Sequence, residues 1–98
     1  MNIVWTLHAE EQLRAIAFAI AEDRCREDAV NWVQDLREQV SQIEDFPRIG
    51  HTPREPWLKA FLEIDFKGYR IFYQIEADFC YVKSVRSGRM NLTSEYSL

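Results

Sequence analysis

The sequence predicts an α+β fold in which a pair of helices packs on one face of a small, largely antiparallel sheet. A short β-branched and aromatic segment begins the chain, and two stretches with helical apolar periodicity follow it. A proline-rich segment then separates these stretches from three strand-like runs. The expected element order is therefore β-α-α-β-β-β.

The first strand and the first helix are predicted at the N-terminus. Residues 3–5 are Ile-Val-Trp, a composition that favours a strand. Thr6 is suited to cap the following helix, because its hydroxyl can accept from a free amide of the first turn. The apolar residues of this helix step by four, three and four, which places them on one face: Ala9, Leu13, Ile16 and Ile20.

The second helix has the clearest periodicity in the chain. A charged turn at residues 22–26 separates it from the first helix, so the two helices are expected to form an antiparallel hairpin. Pro47 disfavours its continuation. Its apolar face is predicted to be core and consists of Ala29, Val33, Leu36, Val40 and Ile43.

Three strands are predicted after the loop at residues 47–57. They span residues 61–66, 69–75 and 79–85, and breaks of two or three residues between them favour antiparallel hairpins. With the helices on one face, the other face of the sheet is expected to be open to solvent or to a partner.

Length and composition limit the classes of function. Ninety-eight residues form one domain, residues 1–98, with a core too small for a large buried cofactor, and no cofactor is expected. The net charge of −4 argues against a general nucleic-acid coat protein. Residues 1–47 have a net charge of −6 and residues 48–98 one of +2, so a polyanion could still meet a basic surface in the second half.

Two widely separated cysteines and the lack of an export signal predict a reduced, cytoplasmic protein.

Four segments carry a resemblance to a known superfamily. Trp5-Thr6 precedes Ala9 and Leu13, and the sequence FPRIG at residues 46–50 follows the second helix. KGYRIFYQI at residues 67–75 and VKSVRSGR at residues 82–89 complete the set. In this order and spacing they resemble the RelE/ParE superfamily of toxins from type II toxin–antitoxin operons, over nearly the whole chain. The pattern is most similar to the ParE branch, although ParE-like chains often have histidine at the position of Arg86.

The resemblance implies one of two activities. ParE-like toxins poison DNA gyrase and trap its cleaved-DNA intermediate, whereas RelE-like toxins are ribosome-dependent endoribonucleases that cut mRNA. Both are neutralised by a cognate antitoxin. The acidic first half favours the ParE-like activity, because a protein that grips ribosomal RNA is usually strongly basic. A RelE-like nuclease is the alternative, and a non-toxic protein that retains the fold is a third.

Candidate site residues lie mainly in the last two predicted strands and the tail. A RelE-like activity would use Arg70, Arg86, Arg89 and Tyr96, because arginine clamps phosphate well. Permanent charge makes arginine a poor general base, so binding is favoured over catalysis. The residues predicted to contact the target are Arg70, Phe72, Lys83, Arg86 and Arg89.

Alternation along the strand at residues 69–75 separates two faces. Ile71, Tyr73 and Ile75 are assigned to the core, which places Arg70 and Phe72 on the opposite face. An exposed Phe beside an Arg indicates an interface, and the alternative is that the C-terminal tail covers Phe72.

Antitoxin contacts are predicted at Trp57 and Phe72, since Trp57 follows two prolines in an open loop. His8 and His51 show no repeated ligand spacing, so they are predicted to be surface residues and no metal site is expected.

Overall fold

The computed structural model describes residues 1–94 and 98, and it has the predicted α+β architecture. Strand β1 (Asn2–Trp5) is followed by helices α1 (Leu7–Asp23) and α2 (Arg26–Ser41). Strands β2 (Leu62–Phe66), β3 (Tyr69–Glu76) and β4 (Phe79–Ser87) follow. Two single-turn 3₁₀ helices, Gln42–Glu44 and Pro56–Leu58, flank the loop that connects α2 to β2.

The four strands form one sheet in the order β1-β4-β3-β2. The β2–β3 and β3–β4 pairs are antiparallel, as the short breaks predicted, while β1 pairs with β4 in parallel. Lys67 and Gly68 form the two-residue turn between β2 and β3, and both have positive φ, as such a hairpin turn requires. Glycine meets this requirement without steric cost.

The helical hairpin covers one face of the sheet. Thr6 caps α1 by accepting from the Ala9 amide at 3.1 Å, and its hydroxyl donates to the Val82 carbonyl at 2.9 Å, so the cap also ties α1 to β4. Arg37 of α2 donates to both carboxylate oxygens of Glu10 on α1, at 3.0 and 2.9 Å. Together these contacts fix the hairpin against the sheet.

The main core lies between the helices and the sheet. The predicted inner faces supply most of it, with Leu13 of α1, Leu36 and Val40 of α2, and Ile71 and Tyr73 of β3 all buried. Ala9, Ala29 and Ile43 are buried as expected, while Ile16, Ile20, Val33 and Ile75 are partly buried against this core.

Cys80 is also buried and Cys25 is exposed, and both thiols are free. Burial raises the pKa of the Cys80 thiol to about 11.

The sequence predicted that the opposite face of the sheet, called the outer face below, is open. In the structure this face is partly covered. The loop before β2 and the segment after β4 fold over it and form a second, smaller core around Leu58, Phe72 and Leu92. These two segments lack periodicity, so their position depends on long-range packing that no local pattern reveals. The outer face therefore has an apolar, covered half and a polar half.

No helix in the described part of the chain is long and apolar enough to cross a membrane.

Candidate functional site

Arg70 is buried in an ion network on the polar half of the outer face. Its side chain donates to both oxygens of Glu55, at 2.7 and 2.6 Å, and to both oxygens of Glu63, at 2.9 and 2.8 Å. Only 3% of the residue is exposed. The predicted availability of Arg70 to a phosphate or a target is therefore wrong, because two carboxylates occupy its donors.

The same network explains the ionisation of Glu55. Hydrogen bonds from Arg70 lower the pKa of the Glu55 carboxyl below its ordinary value, which keeps it ionised at neutral pH. Arg70 is thus a structural cation that joins the loop before β2 to strands β2 and β3.

Phe72 is also buried, with 0% exposure, so the prediction that it is an exposed interface residue is wrong. Leu58 and Leu92 pack against it, and the Phe61 ring meets its ring edge-on at a centroid distance of 6.4 Å. The alternative, in which the tail covers Phe72, describes the structure better, although Leu58 from the loop before β2 also covers it.

Three predicted target-binding cations remain outside the ion network: Lys83, Arg86 and Arg89. Arg89 is exposed just after β4, whereas Lys83 and Arg86 are half-buried on that strand. The Lys83 ammonium lies 5.5 Å from the centre of the Tyr81 ring. Tyr96, the remaining candidate, lies outside the described residues.

A β-bulge shapes the strand that carries these cations. Val82 pairs with Tyr73 and Ser84 pairs with Phe72, so Lys83 is the extra residue on β4. The bulge lies where β1 ends, since Trp5 pairs with Val82. Gln12 of α1 stabilises it, because its side-chain oxygen accepts from the Val85 amide at 2.8 Å and from the Ser84 hydroxyl at 2.9 Å.

Arg86 is oriented by the same hydrogen-bonded group. Its Nε donates to the Ser84 Oγ at 2.8 Å, so Gln12, Ser84 and Arg86 form a continuous chain. Arg86 also lines a groove of about 400 Å³ between α1 and the end of β4, where Ile16 and Met90 provide apolar walls. A guanidinium beside an apolar groove can bind an anionic group that carries a flat or apolar substituent.

A second polar group, not anticipated from the sequence, lies at the edge of β2. His51 and Glu63 form an isolated antiparallel bridge, with backbone hydrogen bonds of 2.9 and 2.8 Å. The bridge places His51 Nε2 at 2.8 Å from the Asp65 Oδ2 and at 3.7 Å from the Glu63 Oε2. His51 is exposed, as predicted, but its position beside two carboxylates depends on a contact that sequence spacing does not show.

The loop reaches this bridge because Tyr73 fixes its beginning. The buried Tyr73 hydroxyl donates to the Pro47 carbonyl at 2.8 Å and accepts from the Gly50 amide at 2.9 Å. A Cβ at Gly50 would lie 2.8 Å from the Tyr73 ring and 2.9 Å from the Glu63 carbonyl oxygen, so only glycine fits.

Within this second group, two side chains have a raised pKa and one has a lowered pKa. A hydrogen bond to the Thr52 carbonyl, and then one to Asp65, raise the pKa of His51. Burial raises the pKa of Glu63 despite its contact with Arg70. Hydrogen bonds with Glu63 and then His51 lower the pKa of Asp65. In chemical terms, His51, Glu63 and Asp65 are the described residues whose donor atoms converge closely enough to hold a metal ion.

Trp57, the other predicted antitoxin contact, is 48% exposed on the 3₁₀ helix Pro56–Leu58. Exposed apolar side chains outside the predicted site also occur at Phe46 and Ile49, in the loop after α2. The FPRIG segment that contains them is thus both a recognisable motif and an apolar surface.

Comparisons with known proteins agree with this architecture. A family model described as the ParE toxin of the type II toxin–antitoxin system parDE matches residues 3–92. Among solved structures, a chain of the chromosomal ParDE toxin–antitoxin system from P. aeruginosa matches with a TM-score of 0.77 and 19% sequence identity. That match covers 89% of this chain and 95% of the other, and it shows the same fold. No curated protein sequence matches the chain.

Proposed function

Because the chain belongs to the ParE toxin family of type II toxin–antitoxin systems, we propose that it arrests growth by poisoning DNA gyrase and that a cognate antitoxin neutralises it. In this proposal the toxin binds gyrase and stabilises the cleaved-DNA intermediate without breaking a covalent bond itself. The cations at the end of β4 contact the target, and Trp57 contacts the antitoxin.

The burial of Arg70 and its pairing with two glutamates favour target binding over RNA cleavage as the proposed activity. Cleavage through a 2′-hydroxyl needs cations on the phosphorane, together with a group that moves a proton. Glu55 and Glu63 use the donors of Arg70 internally, and neither histidine lies on β3 or β4. The other two candidate arginines, Arg86 and Arg89, are permanently charged and are therefore poor proton acceptors.

The target is tested by pulse-labelling DNA and protein synthesis in bacterial cells just after the chain is induced without antitoxin. We expect DNA synthesis to fall first, because a trapped gyrase complex blocks replication before it limits translation. Cleaved DNA should then be recoverable in covalent linkage to gyrase. A fall in protein synthesis first would contradict the proposal and favour a ribonuclease. Unchanged labelling while folded protein accumulates would indicate a non-toxic member of the family.

Two variants distinguish the proposed target-binding surface from the proposed antitoxin-binding surface. Arg86→Ala with Arg89→Ala should abolish growth arrest and leave antitoxin binding largely intact, because it removes two cations from the end of β4. Trp57→Ala should retain growth arrest and weaken antitoxin binding by about tenfold or more, as loss of an aromatic anchor does. Growth on induction and co-purification with the cognate antitoxin measure the two effects.

The matched control is Arg24→Ala with Arg26→Ala, which removes the same charge from two exposed residues, one in the turn between the helices and one at the start of α2. It should leave growth arrest unchanged. Growth arrest by the Arg86 and Arg89 double variant would place the target-binding site elsewhere, and full antitoxin affinity in Trp57→Ala would remove Trp57 from the antitoxin interface.

A further inference from the structure

We propose that His51, Glu63 and Asp65 form a binding site for a divalent transition-metal ion of the Zn²⁺ class, at the edge of β2. The site is independent of the proposed action on gyrase, because none of its residues belongs to the cationic end of β4. Zn²⁺ commonly binds imidazole nitrogen and carboxylate oxygen, and three protein ligands leave one position for water.

The donor atoms have the separations that such an ion needs. The Nε2 of His51 lies 2.8 Å from the Asp65 Oδ2 and 3.7 Å from the Glu63 Oε2, and all three donor atoms lie within 4.8 Å of one another. In a tetrahedral site with bonds of about 2.0–2.1 Å, neighbouring donors are about 3.3 Å apart. Small side-chain rotations of the exposed His51 and Asp65 would therefore suffice.

The second nitrogen of His51 supports the same assignment. His51 Nδ1 lies 3.1 Å from the Thr52 carbonyl oxygen, which can only accept a hydrogen bond. Nδ1 therefore carries a hydrogen, and Nε2 is the nitrogen that faces the two carboxylates. In the metal-free chain Nε2 shares a hydrogen with Asp65, 2.8 Å away, and a metal ion would displace that proton to solvent. This outer hydrogen bond is the arrangement that orients metal-binding histidines in proteins.

Glu63 is positioned for this role by its contacts with Arg70. The Arg70 guanidinium donates to both Glu63 oxygens, at 2.9 and 2.8 Å, which fixes the carboxylate plane. A carboxylate oxygen has two lone pairs, so the Oε2 that accepts from Arg70 keeps one for a metal ion. Arg70 is shared with Glu55, so its single charge does not neutralise all the nearby carboxylates.

The surroundings give the ion access and a rigid base. A cavity of about 320 Å³, lined by His51, Glu63, Asp65 and Arg70 among others, opens beside the cluster and has room for the water ligand. The two backbone hydrogen bonds between His51 and Glu63 hold two of the ligands in register before any ion arrives. Preorganisation of this kind lowers the entropy lost on binding.

The test is calorimetric titration of the metal-stripped full chain with ZnCl₂, together with the same titration of His51→Ala and Asp65→Asn. We expect one Zn²⁺ per chain, and an affinity at least about tenfold weaker in each variant, since each removes a ligand or its charge. His8→Ala is the matched control, because it removes an exposed histidine from α1, and it should bind as the unaltered chain does.

Two further measurements keep the proposal open to refutation. Co²⁺ bound at the site should show the strong visible absorption of four-coordinate cobalt, and His51→Ala should lose it. Mg²⁺ should compete poorly, because it prefers six oxygen ligands. Equal Zn²⁺ affinity in the unaltered chain and His51→Ala, or equal binding of Mg²⁺ and Zn²⁺, would overturn the proposal and leave an ordinary acidic surface. These outcomes do not depend on whether the chain is toxic.

Discussion

Replacing Arg70 with methionine should lower the free energy of unfolding by about 3–5 kcal/mol, the loss seen when one partner of a buried ion pair is removed. The substitution keeps a side chain of similar length but leaves Glu55 and Glu63 desolvated without a cation. Both carboxylates are buried, so water cannot replace the lost hydrogen bonds. Urea unfolding at neutral pH, followed by fluorescence of the three tryptophans, measures the effect.

The stability that Arg70 contributes should decrease as the pH falls. Arg70 lowers the pKa of Glu55 in the folded state, so the stabilisation is present above the carboxyl's unfolded pKa. It is lost as the pH falls through the folded pKa. The stability difference between the unaltered chain and Arg70→Met should therefore narrow in acid.

Two controls isolate the network from a general loss of charge. Arg54→Met removes a largely exposed arginine beside Glu55 and should change stability by no more than about 0.5 kcal/mol. Adding Glu55→Gln and Glu63→Gln to Arg70→Met should recover part of the loss, because the uncompensated charges disappear. A loss below about 1 kcal/mol for Arg70→Met alone would show that water reaches the network.

Leu36→Ala should reduce the free energy of unfolding by about 2–4 kcal/mol, through lost apolar burial and the cavity that remains. Leu36 is 0% exposed at the centre of the inner face of α2. Val30→Ala on the same helix is the control, since Val30 is exposed and its truncation should change stability by about 0.5 kcal/mol or less. Denaturant unfolding of both variants compares them directly. A negligible loss for Leu36→Ala would mean that this helical face is not core and serves an interface instead.

The fold was predictable because its signals are local. The four-three periodicity of α2 identified Leu36 and Val40 as core, and alternation along β3 correctly assigned Ile71 and Tyr73 to the helix side. The short breaks predicted at residues 67–68 and 76–78 correctly indicated the two hairpins, although β3 extends one residue further, to Glu76. Each of these patterns relates residues that are close together in the sequence, where the backbone geometry itself imposes the period.

The candidate site was less predictable because its residues meet through distant contacts. Alternation placed Arg70 and Phe72 on the outer face correctly, but exposure depends on what covers that face. Leu58 and Leu92 cover Phe72 from segments without periodicity. Likewise, Asp65 lies beside His51 only because a loop bridges to β2. An arginine in an apolar strand, with glutamates one strand and one loop away, is nevertheless a signal for a buried ion network.

The parallel pairing of β1 with β4 has a consequence for the order in which the sheet forms during synthesis. Asn2 pairs with Phe79 and Trp5 with Val82, so β1 cannot join the sheet until β4 has been synthesised. Contacts between distant parts of a chain form late and slowly, because loop closure must precede them. The hairpin of helices can form early, yet the sheet that carries Arg86 is complete only after β4 has emerged from the ribosome. Under the proposed function, a chain that is still being synthesised therefore lacks the sheet that presents its target-binding cations until β4 is complete.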